Sequence, residues 1–228
     1  MRILVLADIH ANYRALQATL SVGGDIDEVW CLGDLVSCGP SPEECIALVR
    51  SACRYVVRGN HDVGADLSGG ISAESRAYLD SLPDSILLTR DGCTCCLVHG
   101  SPANPIDGAI WPSMSTESVR ASLGDCTAQC VLAGHTHMAI HLTAGAQLVV
   151  NPGTVGQPRD GDYRAQCALI EEGKWRFVRV AYDLHALAQD YARSTAMRGP
   201  DKDKWLRATC RGIVEEHGLQ RGPFTDAK

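Results

Sequence analysis

Five short apolar runs in the first 137 residues each stop at an aspartate, asparagine or histidine, and this constrains the fold more than any other feature of the chain. The run at 2–7 stops at Asp8 and His10, and the run at 28–32 at Asp34. The run at 54–57 leads to Asn60, His61 and Asp62. Val98 precedes His99, and the run ending near Ala133 leads to His135 and His137. Three of the joins pass through glycine, in Gly33-Asp34, Gly59-Asn60 and Gly134-His135. Short apolar runs bounded by turn residues read as buried strands. In open α/β sheets ligands bind beyond the carboxyl ends of strands, so these polar residues are expected to converge on one crevice.

Between the runs the first half carries helical patterns. Asn12 is placed to cap a helix bearing Ala15, Leu16, Thr19 and Leu20 at helical spacing. Ser41-Pro42-Glu43-Glu44 reads as a capping box with proline at the first helical position. A helix from Ser72 must stop before Pro83. This alternation implies right-handed crossovers and a largely parallel sheet. The second half changes to hairpins: 85–90 with 94–98 around Asp91-Gly92, then strands near 129–133, 138–143, 146–150, 165–171 and 174–180, the last two joined at Glu172-Gly173. Two helices follow at about 183–218, the second carrying Trp205, Leu206, Cys210, Ile213 and Val214 before Gly218. With no repeat or linker in view, residues 1–228 are expected to form a single domain, a size that buries a core without staples.

Taken singly, each block has an ordinary reading. Asp8 is a helix-start carboxylate, Gly33-Asp34 a turn, and the stretch from Gly59 to Asp62 a loop held by its own side chains. One of His135 and His137 could be a core histidine. The conjunction of five strand ends argues otherwise, since the chain has eight histidines and only His141, His185 and His217 fall outside it, in structural patterns. Carboxylate, imidazole and amide donors without cysteine suit Mn²⁺, Fe or Zn²⁺ better than a structural zinc cage. Seven candidate ligands exceed what one ion needs, whereas two ions about 3.5–4 Å apart would use them all, activating water and clamping the oxygens of an in-line phosphoryl displacement.

At these blocks the sequence resembles the calcineurin-like metallophosphoesterase superfamily, and its order of blocks over residues 8–137 is the family's. The stretch from Asn151 through Gly156-Gln157-Pro158-Arg159 is similar to the small bacterial and archaeal phosphodiesterase branch. The resemblance implies a four-layer α/β/β/α sandwich of two mixed sheets. It implies that Asp8, His10 and His137 hold one divalent ion and Asn60, His99 and His135 another, with Asp34 shared and Mn, Fe, Zn or Ni as the metal. It makes His61 the general acid, with Asp62 either orienting it or anchoring the loop. The protein-phosphatase branch has an aspartate and a phosphate-gripping arginine after the second block. Here Gly33-Asp34-Leu35-Val36-Ser37-Cys38-Gly39 lacks both, which argues against protein dephosphorylation. Arg159 is the candidate substitute for substrate binding, unless it pairs with Asp160 or Asp162.

Net charge is −6, and lysine and arginine never run beyond two, so no basic track exists for long nucleic acid. The N-terminal run is too short for a signal-peptide core or a membrane span, which favours a cytoplasmic protein; self-association is left open. Eleven cysteines, an odd number, are expected to be reduced, with Cys31, Cys96, Cys130 and Cys167 in apolar runs, and the cluster Cys93, Cys95, Cys96 lacks a second pair at zinc spacing. The expected activity is hydrolysis of a small phosphodiester or phosphomonoester, such as a nucleotide. A pyrophosphohydrolase of dinucleoside-polyphosphate type shares the metal chemistry. A scaffold on the same fold, as in the retromer subunit that resembles this family, has lost the histidine of the Asn-His-Asp block, whereas His61 is present here.

Overall fold

The computed structural model describes residues 1–64 and 71–213. The chain runs β1 (Arg2–Leu6), α1 (Tyr13–Leu20), β2 (Glu28–Cys31), α2 (Pro42–Ala52), β3 (Tyr55–Val56), a 3₁₀ turn (Asn60–Asp62), α3 (Ala73–Ser81), β4 (Ser85–Arg90) and β5 (Cys93–Val98). It continues α4 (Thr116–Leu123), β6 (Cys130–Leu132), β7 (Ile140–Ala144), β8 (Gln147–Asn151), β9 (Ala165–Glu171), β10 (Lys174–Val180), α5 (Leu184–Arg193) and α6 (Gly199–Arg211). One sheet has the order β10-β9-β1-β2-β3, the other β4-β5-β6-β8-β7. In the first, β1, β2 and β3 are parallel while β9 and β10 run antiparallel. In the second, β5, β6 and β8 are parallel between antiparallel β4 and β7. Both sheets are therefore mixed, as the resemblance implied.

Alternation along the strands stacks the layers. Ile3, Val5 and Ala7 of the first run face the second sheet, meeting Trp30, Leu32, Cys95, Leu97, Cys130, Leu132 and Val150. Leu4 and Leu6 face the other way, onto a core with Leu16 of α1, Ile46 and Val49 of α2, Leu79 of α3 and Leu187 of α5. On the far side, Val119 and Leu123 of α4 close over Val131 and Val149. A strand buried on both faces has no polar alternation, so β1 reads as one apolar run. Trp30 is fully buried between the sheets and its indole N–H donates to Glu28, which also pairs with Arg90 at 2.6 Å and so ties β2 to β4. Cys31, Cys96, Cys130 and Cys167 are buried unpaired thiols, as expected. Among the described residues no helix is long and apolar enough to cross a membrane.

Two local expectations need correction, and one helix was not foreseen. Ser41 precedes α2 but makes no side-chain cap, so the capping box does not form. Glu43 instead reaches across to α3, accepting from the backbone N–H of Ser72 and from the Ser75 hydroxyl at 2.5 Å. Helix α4 was not legible, because it buries only two apolar residues, and Ser, Thr, Glu, Arg and Ala fill its other positions. Its signals are the Ser115 cap on the Ser118 N–H and the pair Val119 and Leu123, four apart. The last helix ends at Arg211, not near 218. Gly212 takes the left-handed conformation that terminates it, and its N–H bonds back to Ala208 and Thr209. Val214, His217 and Gly218 lie outside the described residues.

Candidate metal centre

The parallel strands of both sheets point their carboxyl ends to one edge, and the loops leaving them are bonded to one another there. Asp8 N–H donates to Gly33 O, His10 N–H to Asp34 O, Val155 N–H to Ala7 O and Gly134 N–H to His99 O, all within 3.0 Å. Sharp exits force unusual backbone: Asp8, His10, Asp34, His135 and His137 all have positive φ, between +46° and +67°. For residues with a Cβ this conformation costs of order 1–3 kcal/mol each and is held only where surroundings over-determine it. Glycine makes the close approaches possible. A Cβ on Gly59 would lie 2.1 Å from Asp34 Oδ1, and one on Gly156 1.8 Å from Ile9 O.

All seven expected ligands come together. Ligand atoms of Asp8, His10, Asp34 and His137 lie within 4.8 Å of one another and all four residues are buried. His10 Nε2 is 3.1 Å from His137 Nε2 and 3.6 Å from Asp34 Oδ2, and His137 Nε2 is 3.4 Å from Asp8 Oδ1. On the other side of Asp34, its Oδ2 is 3.4 Å from His99 Nε2. His99 Nε2 is 3.0 Å from Asn60 Oδ1 and 3.2 Å from His135 Nδ1, and His135 Nδ1 is 2.9 Å from Asn60 Oδ1. Asp34 Oδ2 thus stands between two groups of donors, while Asp34 Oδ1 accepts the His61 backbone N–H at 2.9 Å.

The outer ring nitrogens fix what the inner ones do. His99 Nδ1 meets Leu32 O at 2.8 Å and His137 Nδ1 meets Gln157 O at 2.8 Å. A carbonyl accepts, so each Nδ1 carries hydrogen and, in the neutral ring, each Nε2 turns a lone pair inward. Inward lone pairs on neighbouring rings repel unless a cation or proton lies among them. Asp8 Oδ2 adds a buried oxygen with no hydrogen-bond partner. Buried orphans of this kind call for an explanation, and the donor set around Asp8 fits a divalent cation as that partner.

Electrostatics agree. Burial, then the neighbouring Asp34 charge, pushes the Asp8 carboxyl up to about 7. Burial works against ionised Asp34 too, but His99, His10 and His61 outweigh it and hold its carboxyl well below the usual range. Against burial, the carboxylates of Asp34 and Asp8 raise His99 to about 10, so a proton there stands in for positive charge. Burial lowers His10 to about 3 and His135 to about 4, and it depresses His137 as well. Perturbed groups gathered in one crevice mark a functional site.

The remaining expected residues divide. The His61 ring packs edge-on against His10 with centroids 5.0 Å apart, and its ligand atom lies within 4.8 Å of those of His10 and Cys38. The Asp62 carboxylate accepts backbone N–H groups from Asp34, Leu35, Val36 and Gly59, so it binds the second loop to the third. Of the two readings of Asp62, these bonds support the loop anchor. Arg159 pairs with neither acid beside it, since Asp160 binds Arg179 and Gln166 and Asp162 binds Arg164. Its Nη2 lies 3.2 Å from His137 Nε2 and donates to Gln157 at 3.1 Å, and its Nε is buried without a partner.

Sequence reading missed the braces. Asn151 donates to Gly134 O at 2.7 Å, the Thr154 hydroxyl donates to Asp8 O at 2.9 Å, and Gln157 O holds His137. All three sit in the stretch quoted above for the small-phosphodiesterase branch, whose signal was present without a stated role. Cys38 had no such signal.

A two-sheet sandwich with a buried Asp/His cluster at the joined strand ends defines a metal-dependent hydrolase of phosphoric esters. The chain belongs to the calcineurin-like phosphoesterase superfamily: residues 1–174 match the family model described as a calcineurin-like phosphoesterase superfamily domain. A crystal structure of a metallophosphoesterase from Sphaerobacter thermophilus is 31% identical with a TM-score of 0.80, covering 93% of this chain and 100% of that one. An uncharacterised protein of Methanocaldococcus jannaschii is 31% identical over 221 residues, 80% of this chain and 88% of its own length. A symmetrical bis(5'-nucleosyl)-tetraphosphatase of Erwinia tasmaniensis is 37% identical over 68 residues, 28% of this chain and 25% of its own length.

Proposed function

We propose that the protein hydrolyses a small phosphodiester or phosphomonoester using two divalent ions. Asp8, His10 and His137 hold one, Asn60, His99 and His135 the other, and Asp34 is shared between them. The single observation that carries this reading is the position of Asp34 Oδ2, 3.6 Å from His10 Nε2 and 3.4 Å from His99 Nε2, between two sets of inward-facing acceptors. Bound there, the ions supply Lewis acidity to the attacking water and to the phosphoryl oxygens.

The chain's own residues do the rest. The Asp62 anchor and the close contact at Gly59 fix Asp34 relative to His61, so the acid and the shared carboxylate keep one spacing. His61 delivers a proton to the leaving oxygen from the open side of the cluster. Arg159 is held by Gln157 beside His137, where an ion on Nε2 would free its guanidinium for a phosphoryl oxygen. The described C-terminal residues brace this machinery. The Tyr191 hydroxyl donates to Cys38 O at 3.0 Å, Ser194 to Pro40 O at 2.8 Å, and Gly161 N–H to Gly212 O at 2.8 Å. Helix α5 and the residues that end α5 and α6 therefore hold both loops that flank the cluster, which supports one folded unit for the described residues.

Metal-stripped protein assayed on bis-p-nitrophenyl phosphate and p-nitrophenyl phosphate, with Mn²⁺, Ni²⁺, Zn²⁺ or Mg²⁺ restored, tests the proposal. Metal-dependent turnover that collapses in Asp34→Ala and His61→Ala is expected, and the preferred ester separates diesterase from monoesterase. Turnover that survives both substitutions would overturn it.

A further inference from the structure

A cavity of about 650 Å³ opens beside His61, within the size range of small-molecule sites. Its near wall is the loop after β2, with Val36 and Cys38. Its far wall comes from the α5–α6 connection and the first turns of α6, with Met197 and Trp205, and Arg198 and Asp201 are at its polar rim. Every far-wall residue lies beyond residue 174, outside the segment that matches the family. The wall is fixed in place, because Ser194 bonds Pro40 and Tyr191 bonds Cys38 across the cleft.

We infer that this cavity seats the leaving group of the substrate, and that the leaving group is an aromatic nucleoside moiety stacked against Trp205. The inference rests on the proposed role of His61: the group whose oxygen His61 protonates must project to the side His61 faces, and His61 lines this cavity. The chemistry of the walls then selects the class. Trp205, Met197 and Val36 offer an indole, a polarisable thioether and an aliphatic surface, which suit a flat ring. Arg198 and Asp201 in the lining offset each other, and Lys204 Nζ is spent over the Trp205 ring, 4.9 Å from its centroid, so selection falls on the ring and not on a second phosphate. A base stacked on an aromatic side chain contributes about tenfold or more in affinity.

Binding of AMP and of ribose 5-phosphate to metal-stripped protein, measured by calorimetry, isolates the contribution of the base without turnover. Wild type is expected to bind AMP at least tenfold more tightly than ribose 5-phosphate. Trp205→Ala should erase that preference, while Trp205→Phe should retain most of it and guard against misfolding as the cause. Equal binding of the two ligands by wild type, or a preference unchanged in folded Trp205→Ala, would overturn the inference. Because no ion or catalysis enters this measurement, the two readings fail separately: a Trp205-dependent preference in protein whose turnover survives Asp34→Ala and His61→Ala would keep the base site and remove its assignment to the leaving group.

Discussion

Replacing Asp62 with asparagine separates anchoring from catalysis. Oδ1 accepts from the N–H of Leu35 at 2.8 Å and of Val36 at 3.4 Å, and Oδ2 from Asp34 and Gly59, both at 2.9 Å. An amide has one oxygen, so in either orientation its NH₂ confronts two backbone donors. Each buried N–H left without an acceptor costs about 1–3 kcal/mol, giving roughly 2–6 kcal/mol for the pair. Burial, then Asp34, pushes the Asp62 carboxyl up to about 7, so a neutral amide relieves some charge burial and the net loss falls to about 2–3 kcal/mol at pH 8. Urea unfolding followed by circular dichroism measures it, with a Tm drop of about 4–10 °C alongside. Below pH 7 the wild-type carboxyl takes up its own proton, so the difference should shrink at pH 5. A variant with unchanged stability at pH 8 but reduced kcat would refute the anchor and assign Asp62 to orienting His61.

Gly59→Ala places a methyl 2.1 Å from Asp34 Oδ1 and 2.4 Å from the Asp34 backbone nitrogen, so metal affinity should fall more than tenfold by calorimetry, whereas Gly64→Ala, strained by its φ of +80° but meeting nothing within 4 Å, should lose stability and keep its metal affinity. Arg159→Ala should raise KM for a phosphodiester about tenfold with a smaller change in kcat, because a bidentate phosphate partner is lost; an unchanged KM would make it a loop arginine. Above pH 6.5 the rings of His10, His135 and His137 are neutral folded or unfolded and contribute a constant amount. His99, raised to about 10, stabilises the metal-stripped fold fully below pH 6.5 and loses that contribution as pH rises through 10. Thermal melts of stripped protein should therefore fall between pH 6.5 and 10, while metal-loaded protein, with His99 bound to an ion, declines less; parallel declines would contradict the account.

Strand positions were legible because period and length are local properties, and β9 and β10 fall where their apolar runs and the Glu172-Gly173 turn place them. The convergence of the seven candidate ligands was legible for a related reason: a polar residue that ends a buried strand has few structural uses. What stayed hidden depends on contacts distant in sequence. Glu43 serves α3 instead of its own helix, because Ser72 and Ser75 come within its reach only after folding. Arg159 had two acids beside it in sequence, but Arg179 and Arg164 occupy them. Asp62 admits two readings in sequence, and the four backbone donors that favour the anchor reach it only after folding. The wall at Met197 and Trp205 could not be anticipated, since helical periodicity says which face is buried and not what lies opposite.

The most direct test of the central claim is a count of ions. Protein dialysed against Mn²⁺ and then against metal-free buffer should carry two ions per chain by elemental analysis, and Asp34→Ala, which removes the shared ligand, should carry fewer. Two ions retained in Asp34→Ala, or no more than one in an active wild type, would contradict a centre built around Asp34.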